Sequence, residues 1–204
     1  MAHFSDAFII KKFEVDDFVP VTRRRTANLK ELCETTKFSR RELKLMYHGF
    51  KQECPNGCMD LKQFTKVFAS LFPGDAGPYA RLVFKTFEKE DEEFVTFKEY
   101  AALQSILSRG TEEEKLSWIF RLYDCEGKGE LNKRQIFELI QAIFRLFQKN
   151  ATSLDHSYIS RRVQNFFAKM GAEDTGVVTR EHFLEKCLRD NTLCQQLEIM
   201  NTFV

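Results

Sequence analysis

The sequence predicts an all-α protein of four helix–loop–helix units in two paired lobes. Three observations carry that reading. A twelve-residue frame recurs four times, starting at Gln52, Glu88, Asp124 and Gly171. Position 8 of each frame is apolar (Met59, Val95, Leu131, Val178), and an apolar or aromatic residue follows each frame's ligand positions (Phe64, Tyr100, Ile136, Phe183). A helix-period apolar stretch flanks every frame, and glycine holds the sixth position in three of them (Gly57, Gly129, Gly176). This is the EF-hand plan of helix, calcium-binding loop and helix.

The elements follow in order. Residues 1–28 form an N-terminal arm that mixes apolar runs with acids before Arg23-Arg24-Arg25. A partner-dependent or swapped arm and a poorly ordered tail both fit that composition. Leu29, Leu32 and Cys33 give one short helical turn. Ser39 with Glu42 makes a capping box for a helix carrying Leu43, Met46, Tyr47 and Phe50. The first exit helix carries Phe64, Val67, Phe68 and Leu71 and stops at Pro73-Gly74. Pro78 suits an early helical position and leads into Leu82, Val83, Phe84 and Phe87. The next helix holds Phe97, Tyr100, Leu103, Ile106 and Leu107, and Ser108-Arg109-Gly110 breaks the pattern. That break divides an N-lobe at 29–108 from a C-lobe at 111–190, with Thr111 and Glu114 capping the next helix. Leu116, Ile119, Phe120 and Tyr123, then Ile136 to Phe147, make the third pair. A polar stretch precedes the fourth (Ile159, Val163, Phe166, Phe167, Met170; then Phe183, Leu184, Cys187), and a C-terminal helix at 191–204 closes the chain. The position-8 residues should couple paired loops: Met59 with Val95, and Leu131 with Val178.

Composition narrows the function. At 204 residues and a net charge of +1, the whole-protein field favours neither nucleic acid nor a membrane surface. The six cysteines lack zinc spacing and read as reduced thiols of a cytoplasmic protein. No apolar run spans a bilayer, no signal peptide is evident, and Ala2 stands where myristoylation needs glycine. Twenty-one phenylalanines suit a bundle core or a groove that grips an apolar helix.

None of the four loops carries the full set of calcium ligands. Calcium wants about seven oxygens, a bidentate Glu at position 12 and a turn glycine at 6. Loop one has Cys54 at position 3, Pro55 at 4 and Gln63 at 12. Loop four has Gly171 at position 1 and His182 at 12. Loop three keeps Asp124 and Glu126 but sets Lys128 at 5 and Gln135 at 12. Loop two places Glu88, Glu90, Glu92 and Glu99 at positions 1, 3, 5 and 12, yet Glu93 replaces the turn glycine. It reads as a solvated acidic loop or a weak, rearranged cation site. No metal or cofactor is expected, and calcium is disfavoured.

The run Thr36-Lys37-Phe38-Ser39-Arg40-Arg41-Glu42-Leu43 resembles the approach to the first hand of neuronal calcium sensor proteins, as does Tyr47 to Gly57 with its Cys54-Pro55 pair. The nearest branch resembles the Kv channel-interacting proteins, through Phe72-Pro73-Gly74-Asp75-Ala76, Ser105 to Thr111, Glu114 to Trp118 and Leu193 to Leu197. The resemblance implies two side-by-side lobes sharing a hydrophobic groove. It also implies a cradle for the amphipathic N-terminal helix of a Shal-type voltage-gated potassium channel, with membrane association only through that partner. Members of the branch normally keep working third and fourth hands, and here Lys128, Gln135, Gly171 and His182 depart.

The expected function is a non-enzymatic auxiliary subunit with weak or no calcium dependence. Leu43, Tyr47, Phe50, Phe64, Phe68, Phe84, Phe87, Tyr100, Leu103 and Ile106 are the candidate groove residues, each of which could equally be bundle core. The alternative is a calcium-responsive sensor of another target, such as a membrane guanylate cyclase or a receptor kinase. No triad, phosphate loop or paired metal site points to an enzyme. Homo-oligomerisation stays open.

Overall fold

The computed structural model describes residues 28–91, 93–147 and 156–190. The arm (save its last residue), Glu92, most of the polar stretch before the fourth unit, and the C-terminal helix expected at 191–204 lie outside the described residues. Helix α1 (Leu29–Thr35) starts from Asn28, whose side chain accepts the Lys30 N–H. Helix α2 (Arg40–Glu53) starts in a complete Ser39–Glu42 capping box, which satisfies two otherwise orphaned backbone donors. Strand β1 (Cys58–Asp60) and helix α3 (Leu61–Ala69) complete the first unit. Helix α4 (Gly77–Lys85) has proline in its first turn, and β2 (Phe94–Thr96) and α5 (Phe97–Arg109) complete the second. Helix α6 (Glu112–Tyr123), β3 (Glu130–Asn132) and α7 (Lys133–Phe147) form the third. Helix α8 (His156–Met170), β4 (Val177–Thr179) and α9 (Arg180–Arg189) form the fourth.

The loops pair antiparallel in the expected register. Met59 faces Val95 and Leu131 faces Val178, and all four are buried. Each pair presents one side chain from each loop to the core, so an apolar residue at position 8 is required whether or not an ion is bound.

Rings fill both cores. Phe64 meets Phe68, Phe84 and Phe87 at centroid separations of 5.5, 5.6 and 5.7 Å. Phe120 meets Phe183 at 5.6 Å, and Phe166 meets Phe167 edge-on at 5.3 Å. Such pairs add about 0.5–1.5 kcal/mol each beyond simple burial.

The two halves are stitched together. Helix α4 packs against α6 and α7. Trp118 Nε1–H donates to Thr86 Oγ1 at 2.9 Å inside the seam. Nearby, Gly74 N–H donates to the Leu146 carbonyl at 3.0 Å and Asp75 N–H to the Arg145 carbonyl at 2.9 Å. The break between α5 and α6 falls at Gly110, where a Cβ would lie 2.2 Å from the Ile106 carbonyl oxygen. Arg109 there pairs with Glu42, donates to the Lys37 carbonyl at 2.6 Å and lies over the Phe38 ring. Lys37 itself pairs with Glu114 at 2.6 Å and donates its backbone N–H to Ser105 Oγ at 2.7 Å. No helix among the described residues is long and apolar enough to cross a membrane.

Candidate functional site

Positions 9 and 12 of every loop are also the N-cap and third residue of the exit helix. Asp60 with Gln63 and Thr96 with Glu99 make complete capping boxes. Asn132 and Gln135 exchange the same two bonds, at 2.9 and 3.1 Å. Thr179 accepts the His182 N–H, and the His182 imidazole turns to the Met170 carbonyl instead of back to the Thr179 N–H. Glutamine can therefore replace glutamate at position 12 and still start the helix, although it cannot supply a bidentate anion.

Loop one is closed by a lysine. The Lys51 ammonium, from the last turn of α2, donates to the Pro55 carbonyl. Cys54 is buried, and that burial, first among its causes, pushes its thiol up to about 12. A protonated thiol is no calcium ligand. Gly57 supplies the positive φ of 80° that the turn needs.

Loop two is closed by its own glutamate. Glu99 Oε1 accepts the Glu90 N–H at 2.7 Å, and Oε2 accepts the Thr96 N–H at 2.6 Å. Glu88 pairs with Arg121 of α6. Asp91 Oδ1 takes the Glu93 N–H at 2.9 Å, making the turn without a glycine.

Loop three is closed by charge. Asp124 accepts the Lys128 and Gly129 N–H groups at 3.0 and 2.7 Å. The Lys128 ammonium reaches Glu126 at 2.6 Å, and Arg134 pairs with the same carboxylate. The bond to Lys128, more than any other cause, holds Glu126 below the usual carboxylate range, and the reciprocal bond raises Lys128. The amide nitrogen of Gln135 is buried with no hydrogen-bond partner among the described residues.

Loop four is closed by an imidazole. Gly171, at φ 67°, ends α8 in a Schellman motif: its N–H donates to Ala168 O and the Ala172 N–H to Phe167 O, both at 2.9 Å. Position 1 of this loop therefore terminates a helix. His182 Nε2 lies 2.7 Å from the Met170 carbonyl, across the loop mouth. The sequence reading missed this bridge and the Lys51 bridge. Nothing in the twelve-residue frame points to Lys51, which lies just outside it.

The ten candidate groove residues divide. Leu43, Phe50, Phe64, Phe68, Phe84, Phe87, Tyr100 and Leu103 are buried, and Tyr47 and Ile106 are half-buried. Phe64, Phe68, Phe84 and Phe87 pack on one another, while Tyr47 and Phe50 meet Phe97 at 5.0 and 5.6 Å. A second apolar face, which the sequence reading assigned to ordinary helix periodicity, lies on α7. Phe137, Ile140, Ile143 and Phe144 are half-buried, and Phe147 is 46 % exposed. Phe147 meets Phe72 edge-on at 5.7 Å, at the seam between the halves.

No family model matches the chain. The chain is 33 % identical over 183 residues to neuronal calcium sensor 1 of Lymnaea stagnalis, covering 89 % of this chain and 96 % of that protein. The chain belongs to the neuronal calcium sensor family. The helical architecture and paired loops are those of that family's EF-hand fold. Calcium does not fit three of its four loops here. Loop one offers a protonated thiol, loop three an ammonium and an amide at positions 5 and 12, and loop four a helix-ending glycine and an imidazole. In loop two the position-12 carboxylate is engaged by backbone donors. Among the described residues no three His, Cys, Asp or Glu side chains group as metal ligands, and Glu92 lies outside them. Membership of this family supports a regulatory role of the calcium-sensor kind.

Proposed function

We propose that the chain is a non-enzymatic regulatory subunit that holds an amphipathic helix of a membrane protein with weak or no calcium dependence. The partner proposed is the cytoplasmic N-terminal helix of a Shal-type voltage-gated potassium channel, on the likeness of Phe72–Ala76 and Ser105–Thr111 to the Kv channel-interacting branch. The plasma membrane is then reached through the partner. The supporting observation is the α7 face. Phe137, Ile140, Phe144 and Phe147 follow at i, i+3, i+7 and i+10, and each retains accessible apolar area. A partner helix reads such a face with anchors at the same spacing.

Co-purification of the full chain with a Shal-type N-terminal peptide, in calcium and in chelator, tests the reading. Equal capture in both is expected. Phe147→Asp, on an exposed position, should fold and weaken binding about tenfold or more, the scale of one lost anchor. Phe68→Asp should instead collapse the N-terminal half, since Phe68 is fully buried. Unchanged capture by a folded Phe147→Asp variant removes the α7 face. Capture only in calcium favours the alternative of a calcium-responsive sensor.

A further inference from the structure

We infer that the chain's own groups have taken over the ion's bridging work, with Lys128 the resident cation of loop three, so that the paired loops are held shut with no divalent ion. This extends the calcium half of the reading above and does not depend on the partner.

An ion in such a loop does two things. It neutralises clustered carboxylates, and it ties the start of the exit helix to the early loop. Both tasks are done here by protein atoms. In loop two, Glu99 ties the first turn of α5 to the Glu90 backbone at 2.7 Å. In loop four, His182 ties the first turn of α9 to the last carbonyl of α8 at 2.7 Å. In loop one the bridge comes from the entering helix instead: Lys51, in the last turn of α2, holds the Pro55 carbonyl of the early loop.

Loop three gives the clearest case. Its positions 1, 3, 5 and 12 are Asp124, Glu126, Lys128 and Gln135, a net charge of −1. Lys128 bonds Glu126 at 2.6 Å, and Arg134 from α7 bonds it from the other side. The rest of the scaffold is that of a competent loop. Gly129 has the positive φ of 74° that position 6 requires, Asp124 already gathers two backbone amides, and Asn132 stands at position 9. Aspartate at 128 and glutamate at 135 would bring the four positions to −4. A loop so charged repels itself unless a cation is bound, whereas the parent loop carries its counter-charge covalently.

The test uses the full chain, with no partner, titrated calorimetrically with calcium chloride and melted in calcium and in chelator. The parent should show no saturable calcium heat and superimposable melts. Lys128→Asp/Gln135→Glu should bind calcium with Kd on the order of 10⁻⁵ M or tighter. Its melting temperature should fall in chelator and recover by about 5 °C in saturating calcium. His182→Ala should lower the melt by the same few degrees in both conditions, and Val177→Ala, an exposed neighbour, should not. A parent calcium site abolished by Asp124→Asn overturns the inference. So does a double variant that keeps the parent's helical circular dichroism yet stays blind to calcium, or a His182→Ala melt equal to the parent's. If the double variant folds in neither condition, Lys128→Met is melted instead: a lower melting temperature than the parent's in calcium and in chelator alike is expected, and a melt equal to the parent's overturns the inference.

Discussion

At the residue scale, single atoms decide outcomes that composition does not show. Gly110 has φ −63°, which any residue adopts, yet a Cβ there meets the Ile106 carbonyl oxygen at 2.2 Å. Gly110→Ala should therefore cost about 1–3 kcal/mol, read as a lower denaturant midpoint with an unchanged slope. Glu42 accepts from Arg109 first of all and then from Ser39, which lowers its carboxyl from 4.5 to about 2. A lowered folded-state value gives stability that is complete above 4.5 and is lost as pH falls through about 2. The side chain is 39 % exposed, so solvent screening trims the effect to about 1 kcal/mol. Melting temperatures of parent and Glu42→Gln should converge as pH drops across that window. A constant gap would show that the pair does not carry the pH dependence. Gly110 was legible as a break, but its steric reason was not. The Ser39–Glu42 box was legible, because both halves are local in sequence, whereas Arg109 arrives from far along the chain.

At the element scale, the helices are started by the same pairs that once would have framed an ion. Gln135→Ala removes the reciprocal cap with Asn132 and should cost about 1 kcal/mol. Gln135→Glu should restore that cap and leave the stability close to the parent's. Urea melts of the two variants check this, and equal losses would show that the cap contributes nothing. The position-8 pairing was fully legible, since Met59–Val95 and Leu131–Val178 follow from alternation and frame alone. The apolar face of α7 was legible as a helix but not as a surface. Periodicity says which residues share a side, and packing by other elements decides which side stays open. The same limit explains why eight residues read as groove lie buried. The Gly171 helix end was read only as a missing ligand, because the Schellman bonds to Phe167 and Ala168 depend on how α8 stops.

At the scale of the whole molecule, the polar bonds across the seam among the described residues include Trp118–Thr86, between two buried side chains. Trp118→Phe and Thr86→Val should each destabilise. In a double-mutant cycle they should couple by about 1 kcal/mol. Zero coupling would assign Trp118 to packing alone. Loss of the bond should also separate the unfolding of the two halves, visible as a broadened transition. The helix break at Gly110 was legible in the sequence, but this bond was not, since nothing local relates Thr86 to Trp118. The docking of Gly74 and Asp75 onto the end of α7 was equally hidden, because it uses only backbone atoms.

The double duty of positions 9 and 12 sets the order in which such a loop can change over generations. A glutamate-to-glutamine step at position 12 is nearly silent for folding, because the cap survives it. A charge reversal at position 5 is then tolerated, since no ion remains to be repelled. The reverse sequence of steps meets a bound cation facing an ammonium and is disfavoured at its first move. Loop three, with Lys128 at 5 and Gln135 at 12, stands at the end of the easy route and is two codons from retracing it, whereas loop one, with Asn56 at 5 and Gln63 at 12, carries only its first step.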